Sequence, residues 1–545
     1  MKDRLRSLCA LSHETLICTA NPLRLDEDSW HLPNMTVTDV PAHPLPMSPV
    51  HTPFGRWRAL EGQASLTLCP LPRSGEARSG EAGDRGRSAS DRRPAHPVYC
   101  CAMIPTQFPP GFTWGAATAS YQIEGAVAEA GRGPSIWDQF SHSPGRTLNG
   151  DTGDVACDHY HRWREDIAIM KDLGLQAYRF SIAWPRIMPM GRGRVNQAGL
   201  DFYSQLVDEL LANDITPFAT LYHWDLPVSL EADGGWPFRA TAFAFADYAE
   251  VVANHLGDRI KNWLTINEPW VVAHRGYIDG QHAPGRTSLE DGLAAAHHTM
   301  LAHGYATQAL RAADSDAKVG IVINSDTMVP RSDHRLDRLA AEEAHESLSR
   351  WFYDPIFLGS YPEDAVRRYG WDMGPVFDGD LTAISQPLDM LGVNYYTRKV
   401  HADLSLDDVE RPQPIVEADL PQTTMGWEVY PQGLTDHLIR MDRDYNLPPI
   451  YITENGAAFP DEVVDGAVHD ADRVDYLDRH LRALAAAIAA GVDVRGYFVW
   501  SLLDNYEWAR GYAQRFGIVR VDYDTQERIL KDSAHWYRQV IAASG

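Results

Sequence analysis

Two glutamates occupy similar settings in the sequence, and together they could carry out acid–base and nucleophilic chemistry. Glu268 ends the apolar, β-prone run TINE at 265–268, and Glu454 ends the run ITE at 452–454. Two carboxylates at the ends of two different strands can hydrolyse a glycosidic bond, because one protonates the leaving oxygen while the other attacks the sugar carbon. A single such glutamate is usually a surface or salt-bridged carboxylate, so the prediction rests on the pair.

Strand-like and helical segments alternate along the chain and would have to position these glutamates. Eight segments have the length and composition of buried strands: 112–118, 176–183, 216–222, 261–267, 318–324, 388–395, 449–454 and 495–501. Helical patterns lie between them, among others at 163–173, 201–212, 244–256 and 472–490. This alternation predicts an α/β fold, a closed (β/α)8 TIM barrel. The alternative is an open doubly wound sheet, which usually carries a glycine-rich phosphate loop after its first strand, and the sequence has none there.

The helix predicted at 472–490 shows apolar residues at steps of three and four. These residues are Val474, Leu477, Leu481, Leu484 and Ile488. Asp470 or Asp472 would cap the start of this helix, and Gly491 would end it.

A TIM barrel presents its catalytic side chains at the C-terminal ends of its strands. From the third strand to the eighth, the predicted ends carry His223 and Trp224, Asn267 and Glu268, Asn324, Asn394 with Tyr395 and Tyr396, Glu454, and Trp500. One Asn or His at a strand end is usually a structural cap. A ring of polar and aromatic side chains at six ends instead predicts a sugar-binding rim.

The chain divides near residue 103 into two parts of different composition. Residues 1–102 are rich in Pro, Ser, Arg and Gly and have little periodic pattern. They predict a disordered, low-complexity extension, because they cannot bury enough apolar surface to offset chain entropy. Residues 103–545 would form a single catalytic domain. We hypothesise that Met103 is the natural start and that the upstream part is a mis-assigned extension.

The charge and cysteine content exclude some classes of partner. The net charge of −25 argues against nucleic acid or an anionic membrane surface as a partner. No apolar stretch is long enough to span a bilayer, and the N-terminus lacks the continuous apolar core of a signal peptide. Of six cysteines, only Cys157 follows residue 102, which fits a reducing compartment, and we predict a cytoplasmic location.

Three longer runs carry a resemblance to a known family. They are FTWGAATASYQIEG at 112–125, YRFSIAWPRI at 178–187 and NYEW at 505–508. With the two glutamate motifs in order and at matching spacing, the chain from about Phe108 to about Tyr537 resembles glycoside hydrolase family 1, the β-glucosidase family. The first 100 residues find no counterpart in the family's pattern.

The resemblance, together with the chemistry of carboxylates, implies a role for each glutamate. Glu268 matches the general acid/base, and its pKa should be raised by a water-poor pocket and by the second carboxylate. Glu454 matches the nucleophile, with Tyr396 as a hydroxyl donor to it and Arg179 as a buried arginine beside it. A covalent glycosyl-enzyme and retention of configuration would require the carboxyl groups to lie about 5 Å apart, against roughly 6.5–9.5 Å in an inverting enzyme.

The resemblance also implies which side chains contact the substrate. The non-reducing sugar would be held by Gln122, His223, Asn267, Glu507 and Trp508, with Trp500 as a stacking platform and Asn394 in a supporting position. On the aglycone side Trp427 would be the platform, with Trp224 and Phe516 as weaker candidates and Asn324 facing the outer pocket. Gln122 and Glu507 could each bridge two adjacent hydroxyls.

These matches predict a retaining β-glucosidase that hydrolyses terminal β-D-glucosyl residues of β-glucosides and cello-oligosaccharides. Side activity on β-galactosides and β-fucosides is expected. An intact Glu507–Trp508 pair argues against the family's branches for 6-phosphorylated sugars, because a carboxylate there would repel a phosphate. Glu268 argues against the thioglucosidase branch, which has Gln at that position. The expected partners are small-molecule β-glycosides.

Neither a cofactor nor a metal is expected. His159 and His161 lie two residues apart in a predicted helix and would point to different faces, and His297 and His298 are interpreted as structural or surface residues.

Two rival functions stay open at this point. One is a non-catalytic barrel that serves as a binding protein, against which the presence of both glutamates weighs. The other is a transglycosylase, which shares the covalent intermediate and differs in its acceptor. The exact sugar and aglycone preference and the oligomeric state are also open.

Overall fold

A computed structural model describes residues 108–406 and 420–544 of the chain. The predicted extension at 1–102 and the hypothetical start at Met103 lie outside the described residues. So does segment 407–419, which follows the sixth barrel strand.

Eight parallel strands close into a barrel, as the alternating pattern predicts. In chain order they are β1 Thr113–Ala117, β2 Ala177–Ser181, β3 Thr216–Tyr222, β4 Asn262–Asn267, β5 Lys318–Asn324, β6 Met390–Asn394, β7 Ile450–Asn455 and β8 Val494–Trp500. Each strand pairs with the next, and β8 pairs with β1. The (β/α)8 prediction is therefore confirmed, with every strand end within two residues of its predicted position, and the alternative of an open sheet is wrong.

Helices follow the strands and surround the barrel. The longer ones are His159–Leu173, Gln197–Ala212, Ala240–Leu256, Leu289–Ala313, Arg335–His345, Pro431–Asp444, Ala471–Ala489 and Asp532–Ser544. The shorter α-helices are Ser120–Ile123, Ile136–Ser141, Trp184–Ile187, Val228–Ala232, Pro269–Ala273, Trp351–Phe357, Glu363–Tyr369 and Asp380–Ile384. Single turns of 3-10 or π-helix occur at Leu148–Gly150, His274–Ile278, Glu346–Arg350 and Trp508–Arg510.

Three of the predicted helices begin four residues earlier than their apolar pattern indicates, at His159, Gln197 and Ala240. The first turns bury polar or small residues such as His159, Gly199 and Thr241, which an apolar periodicity does not register. In the helix Ala471–Ala489, one of the two expected capping residues stands at the expected position but does not cap the helix. Asp470 occupies the N-cap position, but its side chain makes no capping hydrogen bond and instead binds Arg473 and Ser533.

The barrel interior and the layer outside it are packed separately. Phe218, Phe498 and Leu264 fill the interior, where the Phe218 and Phe498 rings lie 5.0 Å apart. A larger apolar layer, which includes Trp263 and Tyr178, joins the strands to the helices. Because the interior is filled below the rim, a substrate can enter only from the end where the strands terminate.

Within the described residues, three short two-stranded sheets lie outside the barrel. They pair Thr327–Pro330 with Arg398–His401, Val463–Val464 with Ala467–Val468, and Val519–Val521 with Arg528–Leu530. Within residues 108–406 and 420–544, no helix has the length and apolar character needed to cross a membrane.

Candidate active site

Glu454 lies at the C-terminal end of β7 with only 3% of its surface exposed. The strand register sets Asn324, Asn394 and Glu454 side by side on β5, β6 and β7. Gly456 follows two residues later, and a β-carbon there would overlap the carbonyl oxygen of Trp500. The glycine of the motif TENG is thus required for β7 and β8 to approach each other beside the carboxylate.

Two donors bind the Glu454 carboxylate, one on each oxygen. Arg179 donates from Nη1 to Oε1 at 2.6 Å, and the hydroxyl of Tyr396 donates to Oε2 at 2.7 Å. Both contacts stabilise the ionised form, because a guanidinium charge and a hydroxyl donor favour an anion. A buried carboxylate with a donor on each oxygen has the properties of a nucleophile.

Arg179 reaches Glu454 from β2 across the barrel. It is fully buried and also donates to Thr220 at 3.1 Å, to the carbonyl of Thr453 at 3.2 Å and to Asn267 at 2.7 Å. The planar guanidinium can satisfy these acceptors at once because its donors point in fixed, divergent directions.

Glu268 follows the end of β4 and is 6% exposed. Its backbone has φ of +51°, in the left-handed region, which is strained for a residue other than glycine. Asn394 donates to Glu268 Oε1 at 2.7 Å. Burial, and secondly the charge of Glu454, raises the pKa of Glu268 well above its ordinary value. Glu268 therefore keeps its proton where an exposed glutamate would lose it, as a general acid requires.

Asn267 connects the two glutamates through hydrogen bonds. Its Oδ1 accepts from Arg179 at 2.7 Å and from Asn394 at 3.1 Å, so its amide nitrogen is free to donate to His223 Nε2 at 3.2 Å. His223 must then carry its proton on Nδ1. Burial, with Arg179 as a second cause, lowers the pKa of His223 well below its ordinary value, so the ring is neutral.

Nδ1 of His223 and Oε1 of Gln122 are buried polar atoms at this rim, and they lack a hydrogen-bond partner among the described residues. Gln122 uses its Nε2 to bind Asn505 at 3.0 Å and the carbonyl of Tyr506 at 2.9 Å, and Glu507 lies 3.5 Å from the same atom. An unpaired buried polar atom costs about 1–3 kcal/mol. A donor and an acceptor left in this state are suited to the hydroxyls of a ligand.

Glu507 lies next to Gln122 and is partly buried. Burial, and then the charge of Glu454, raises its pKa to about 8. Near neutral pH it therefore carries a proton and can both donate to and accept from hydroxyl groups.

Aromatic rings form much of one wall of the site. We call this wall the inner wall, and it consists of His223, Trp500 and Trp508 with the neighbouring Gln122 and Glu507. His223 stacks with Trp500 at 5.8 Å and with Trp508 at 5.9 Å between ring centres. Trp224 packs against Trp508 at 4.6 Å, and its indole nitrogen donates to the carbonyl of Asn267 at 2.9 Å. Trp224 is 9% exposed, which leaves little of its ring for an aglycone and places it behind the inner wall.

A second aromatic group lies on the outer side of Glu454. Trp427 and Phe516 lie 5.4 Å and 6.1 Å from Tyr396 between ring centres. Trp427 and Tyr396 are partly exposed, whereas Phe516 is buried beneath them. Asn324 is partly buried at the end of β5, and its Oδ1 has no partner in the described segments.

Three contributing residues have no counterpart among those predicted from the sequence. Asn505 binds Gln122, and the hydroxyl of Thr453 donates to Asn394 at 2.7 Å. Both stand inside the recognised motifs, so their positions carried a signal. Asp225 is fully buried two residues after His223, accepts from Ser120 at 2.9 Å, and has its pKa raised to about 7 by burial. A single carboxylate after a strand end gave no sign of this burial.

The paired histidines lie away from this rim. His159 is buried against Asp166, whereas His161 is exposed, as helical divergence predicts. His297 and His298 are buried in the helix Leu289–Ala313, where His297 contacts Tyr361 and Asp380. Across the described ranges, no group of three His, Cys, Asp or Glu side chains could hold a metal ion.

A (β/α)8 barrel that gathers two buried carboxylates among hydrogen-bonding and aromatic side chains at its C-terminal rim has the architecture of a glycoside hydrolase. The sequence profile described as Glycosyl hydrolase family 1 matches residues 104–545. The chain belongs to this family.

Similar proteins cover most of the chain. Beta-glucosidase A of Thermotoga maritima is 50% identical over 446 residues, which make up 81% of this chain and 98% of that protein. A bifunctional beta-D-glucosidase/beta-D-fucosidase of Bifidobacterium breve is 48% identical over 464 residues, or 80% and 98% of the two chains. The solved structure of a beta-glucosidase from Thermotoga maritima in complex with glucoimidazole has a TM-score of 0.76 and 49% identity, and the match covers 81% of this chain and 100% of that one.

Proposed function

We propose that this enzyme is a retaining β-glucosidase that removes terminal non-reducing β-D-glucosyl residues from β-glucosides and cello-oligosaccharides. The observation that carries the proposal is the contrast between the two carboxyl groups. Glu454 accepts from Arg179 and Tyr396, which favours its anion, whereas burial and the charge of Glu454 keep Glu268 protonated. Two carboxyl groups held in opposite states are what an acid and a nucleophile require.

The proposed reaction has two steps. In the first, Glu454 forms a bond to the anomeric carbon as the glycosidic bond breaks, and Glu268 gives its proton to the departing oxygen. In the second, Glu268, now ionised, takes a proton from water, whose oxygen attacks the anomeric carbon and releases Glu454. Two inversions give net retention of configuration.

The inner wall supports a glucosyl group as the bound sugar. His223 offers a donor and Gln122 an acceptor, while Glu507 can do both. Trp500 and Trp508 supply apolar faces for the sugar ring. We place the aglycone against Trp427 and Tyr396, whose rings are partly exposed. Side activity on β-fucosides is part of the proposal, because a relative of 48% identity is named a beta-D-glucosidase/beta-D-fucosidase. Side activity on β-galactosides stays a prediction from the sequence.

The proposal also includes the class of substrate, whereas the cellular location rests on the sequence. Small-molecule β-glycosides are the proposed substrates, and the cytoplasmic location stays a prediction from the distribution of cysteines. Cys157, the cysteine inside the barrel domain, is buried and free of a disulfide.

The test compares hydrolysis of p-nitrophenyl β-D-glucoside by the wild type and by Glu454→Ala, with azide added to the variant. We expect the variant to lose at least about 10⁴-fold in kcat, and azide to restore turnover with α-glucosyl azide as product. Glu462→Ala is the matched control. Because Glu462 is exposed, this variant should keep the wild-type rate. An active Glu454→Ala variant would refute its role, and a wild type that cleaves no β-glycoside would favour a non-catalytic barrel.

A further inference from the structure

A neutral cluster of buried charges lies beside the loop that follows β8. Lys531, Arg473 and Arg515 supply three positive charges, and Asp461, Asp470 and Asp504 supply three negative ones. All except Arg515 have side chains at most 1% exposed, and that of Arg515 is 19% exposed. None of these groups takes part in the proposed reaction, so their burial requires another explanation.

Asp504 is the member of this cluster that belongs to the β8 loop itself. Its Oδ1 accepts from Lys531 at 2.7 Å and from the backbone N–H of Gly517 at 3.0 Å, and its Oδ2 accepts from Arg515 at 2.7 Å. One carboxylate therefore holds both the beginning and the end of segment 504–517. The cations Lys531 and Arg515 keep the pKa of Asp504 below its ordinary value, although burial alone would raise it.

The segment between these two anchors carries side chains from both halves of the site. Glu507 and Trp508 stand three and four residues after Asp504, and Phe516 stands between Arg515 and Gly517. Asn505, next to Asp504, accepts the hydrogen bond of Gln122. Displacing the carboxylate of Asp504 would therefore move the inner wall and the outer aromatic group together.

The two ends of segment 504–517 approach each other closely at Gly517. A β-carbon at position 517 would overlap the backbone nitrogen of Asp504, so the two ends of the segment touch directly. The backbone N–H of Ser501 also donates to the carbonyl of Phe516 at 3.2 Å. The loop is closed by backbone contacts at its base, and Asp504 is the charged group at that closure.

We propose that Asp504 is a positioning residue that fixes Glu507, Trp508 and Phe516 in the geometry needed to discriminate between sugars. It acts by joining both ends of the β8 loop to the buried cations Lys531 and Arg515. The inference rests on the proposed function, because the side chains it positions are those assigned to the sugar and the aglycone.

The test uses Asp504→Asn, which keeps the size of the side chain. An amide has one oxygen instead of two, so its NH₂ must face a donor, either Arg515 or the pair Lys531 and Gly517. We expect KM for p-nitrophenyl β-D-glucoside to rise about tenfold with a smaller change in kcat. The preference for the β-glucoside over the β-galactoside, in kcat/KM, should fall at least about fivefold, because hydroxyl-specific contacts are misplaced.

Asp470→Asn is the matched control. Asp470 belongs to the same cluster and binds Arg473 and Ser533 but has no bond to segment 504–517. This variant should lose thermal stability yet keep the wild-type sugar preference. Equal loss of preference in both variants, or an unchanged preference in Asp504→Asn, would overturn the proposal.

Two further measurements keep the proposal testable. If Asp504→Asn does not fold, Arg515→Met removes the hydrogen bond from Arg515 to Asp504, together with the one to the carbonyl of Val521, and should lower the sugar preference in the same direction. Amide hydrogen exchange of segment 505–517 should be faster in Asp504→Asn than in Asp470→Asn, whether or not the enzyme cleaves a glycoside. A wild type that is inactive on both glycosides would refute the proposed function. Equal amide exchange of segment 505–517 in Asp504→Asn and Asp470→Asn would refute the positioning role.

Discussion

The hydroxyl of Tyr396 lies 2.7 Å from Oε2 of Glu454 and donates a hydrogen bond to it. Tyr396 follows β6 by two residues, and Glu454 is on β7, so the neighbouring strands of the barrel create this contact. Arg179 occupies the other oxygen, which leaves Glu454 with one donor on each side. The nucleophile is thus oriented by two groups that also lower the energy of its negative charge.

Tyr396→Phe removes this hydroxyl and keeps the ring. Because a hydrogen bond to a charged group contributes about 1.5–3 kcal/mol, we expect kcat/KM for a β-glucoside to fall by roughly 10–100-fold. Steady-state kinetics would measure the loss. Tyr395→Phe is the control, since the neighbouring hydroxyl donates to the carbonyl of Tyr430 and has no contact with Glu454. Equal effects of the two variants would contradict the role of Tyr396.

Arg179→Lys tests the second donor of Glu454. A lysine keeps the charge but cannot reach Glu454, Asn267 and Thr220 from one planar group, so we expect kcat to fall by about 100-fold or more. Arg528→Lys is the matched control, because the side chain of Arg528 is also buried and binds the carboxylate of Asp166. Both variants should lose stability in thermal unfolding, but only Arg179→Lys should lose turnover. Full activity of Arg179→Lys would show that charge alone is sufficient.

Much of the fold follows from the sequence, because the barrel strands are short apolar runs that end in polar or aromatic residues. Glu268 and Glu454 end two such runs, and a barrel brings strand ends to one rim whatever their distance along the chain. The predicted positions of both glutamates therefore needed no information about loops. The motif glycine, Gly456, likewise has a direct physical cause in the carbonyl of Trp500.

The buried charges around Asp504 could not be predicted in the same way. Asp461, Asp504 and Lys531 are spread over 70 positions and look like ordinary surface residues of an acidic protein. Only the three-dimensional path of the loops after β7 and β8 brings them together. The proton position on His223 has a similar origin, since the contacts of Asn267 determine it.

The raised pKa of Glu268 predicts how activity depends on pH. Glu268 must be protonated to act as the acid, so kcat/KM for a substrate with a poor leaving group should fall on the alkaline side as Glu268 ionises. Glu268→Gln should abolish this limb. Its loss of activity should be large for cellobiose and small in kcat/KM for 2,4-dinitrophenyl β-D-glucoside, whose leaving group needs no proton.

A remaining alkaline limb in Glu268→Gln would belong to Glu507, whose pKa is raised to about 8 by burial and by Glu454. The double variant with Glu507→Gln would then remove it. A pH profile identical in the wild type and Glu268→Gln would exclude Glu268 as the general acid.

The same pKa shift predicts how the stability of the folded protein depends on pH. In the unfolded chain Glu268 has an ordinary pKa, while burial and the charge of Glu454 raise it in the folded state. The folded protein therefore binds the extra proton between these two pKa values, and the contribution of Glu268 to stability decreases as pH rises through that window. Below the unfolded pKa both states are protonated and the contribution is constant.

A glutamine never ionises, so Glu268→Gln should gain in Tm relative to the wild type as pH rises from 5 to 8, reaching a difference of about 1–3 °C. Exposed Glu462, in Glu462→Gln, should show no such pH-dependent gain. Thermal unfolding of the three proteins across this pH range tests this prediction. If the difference in Tm between Glu268→Gln and the wild type shrinks with rising pH, the pKa of Glu268 is not raised in the folded protein.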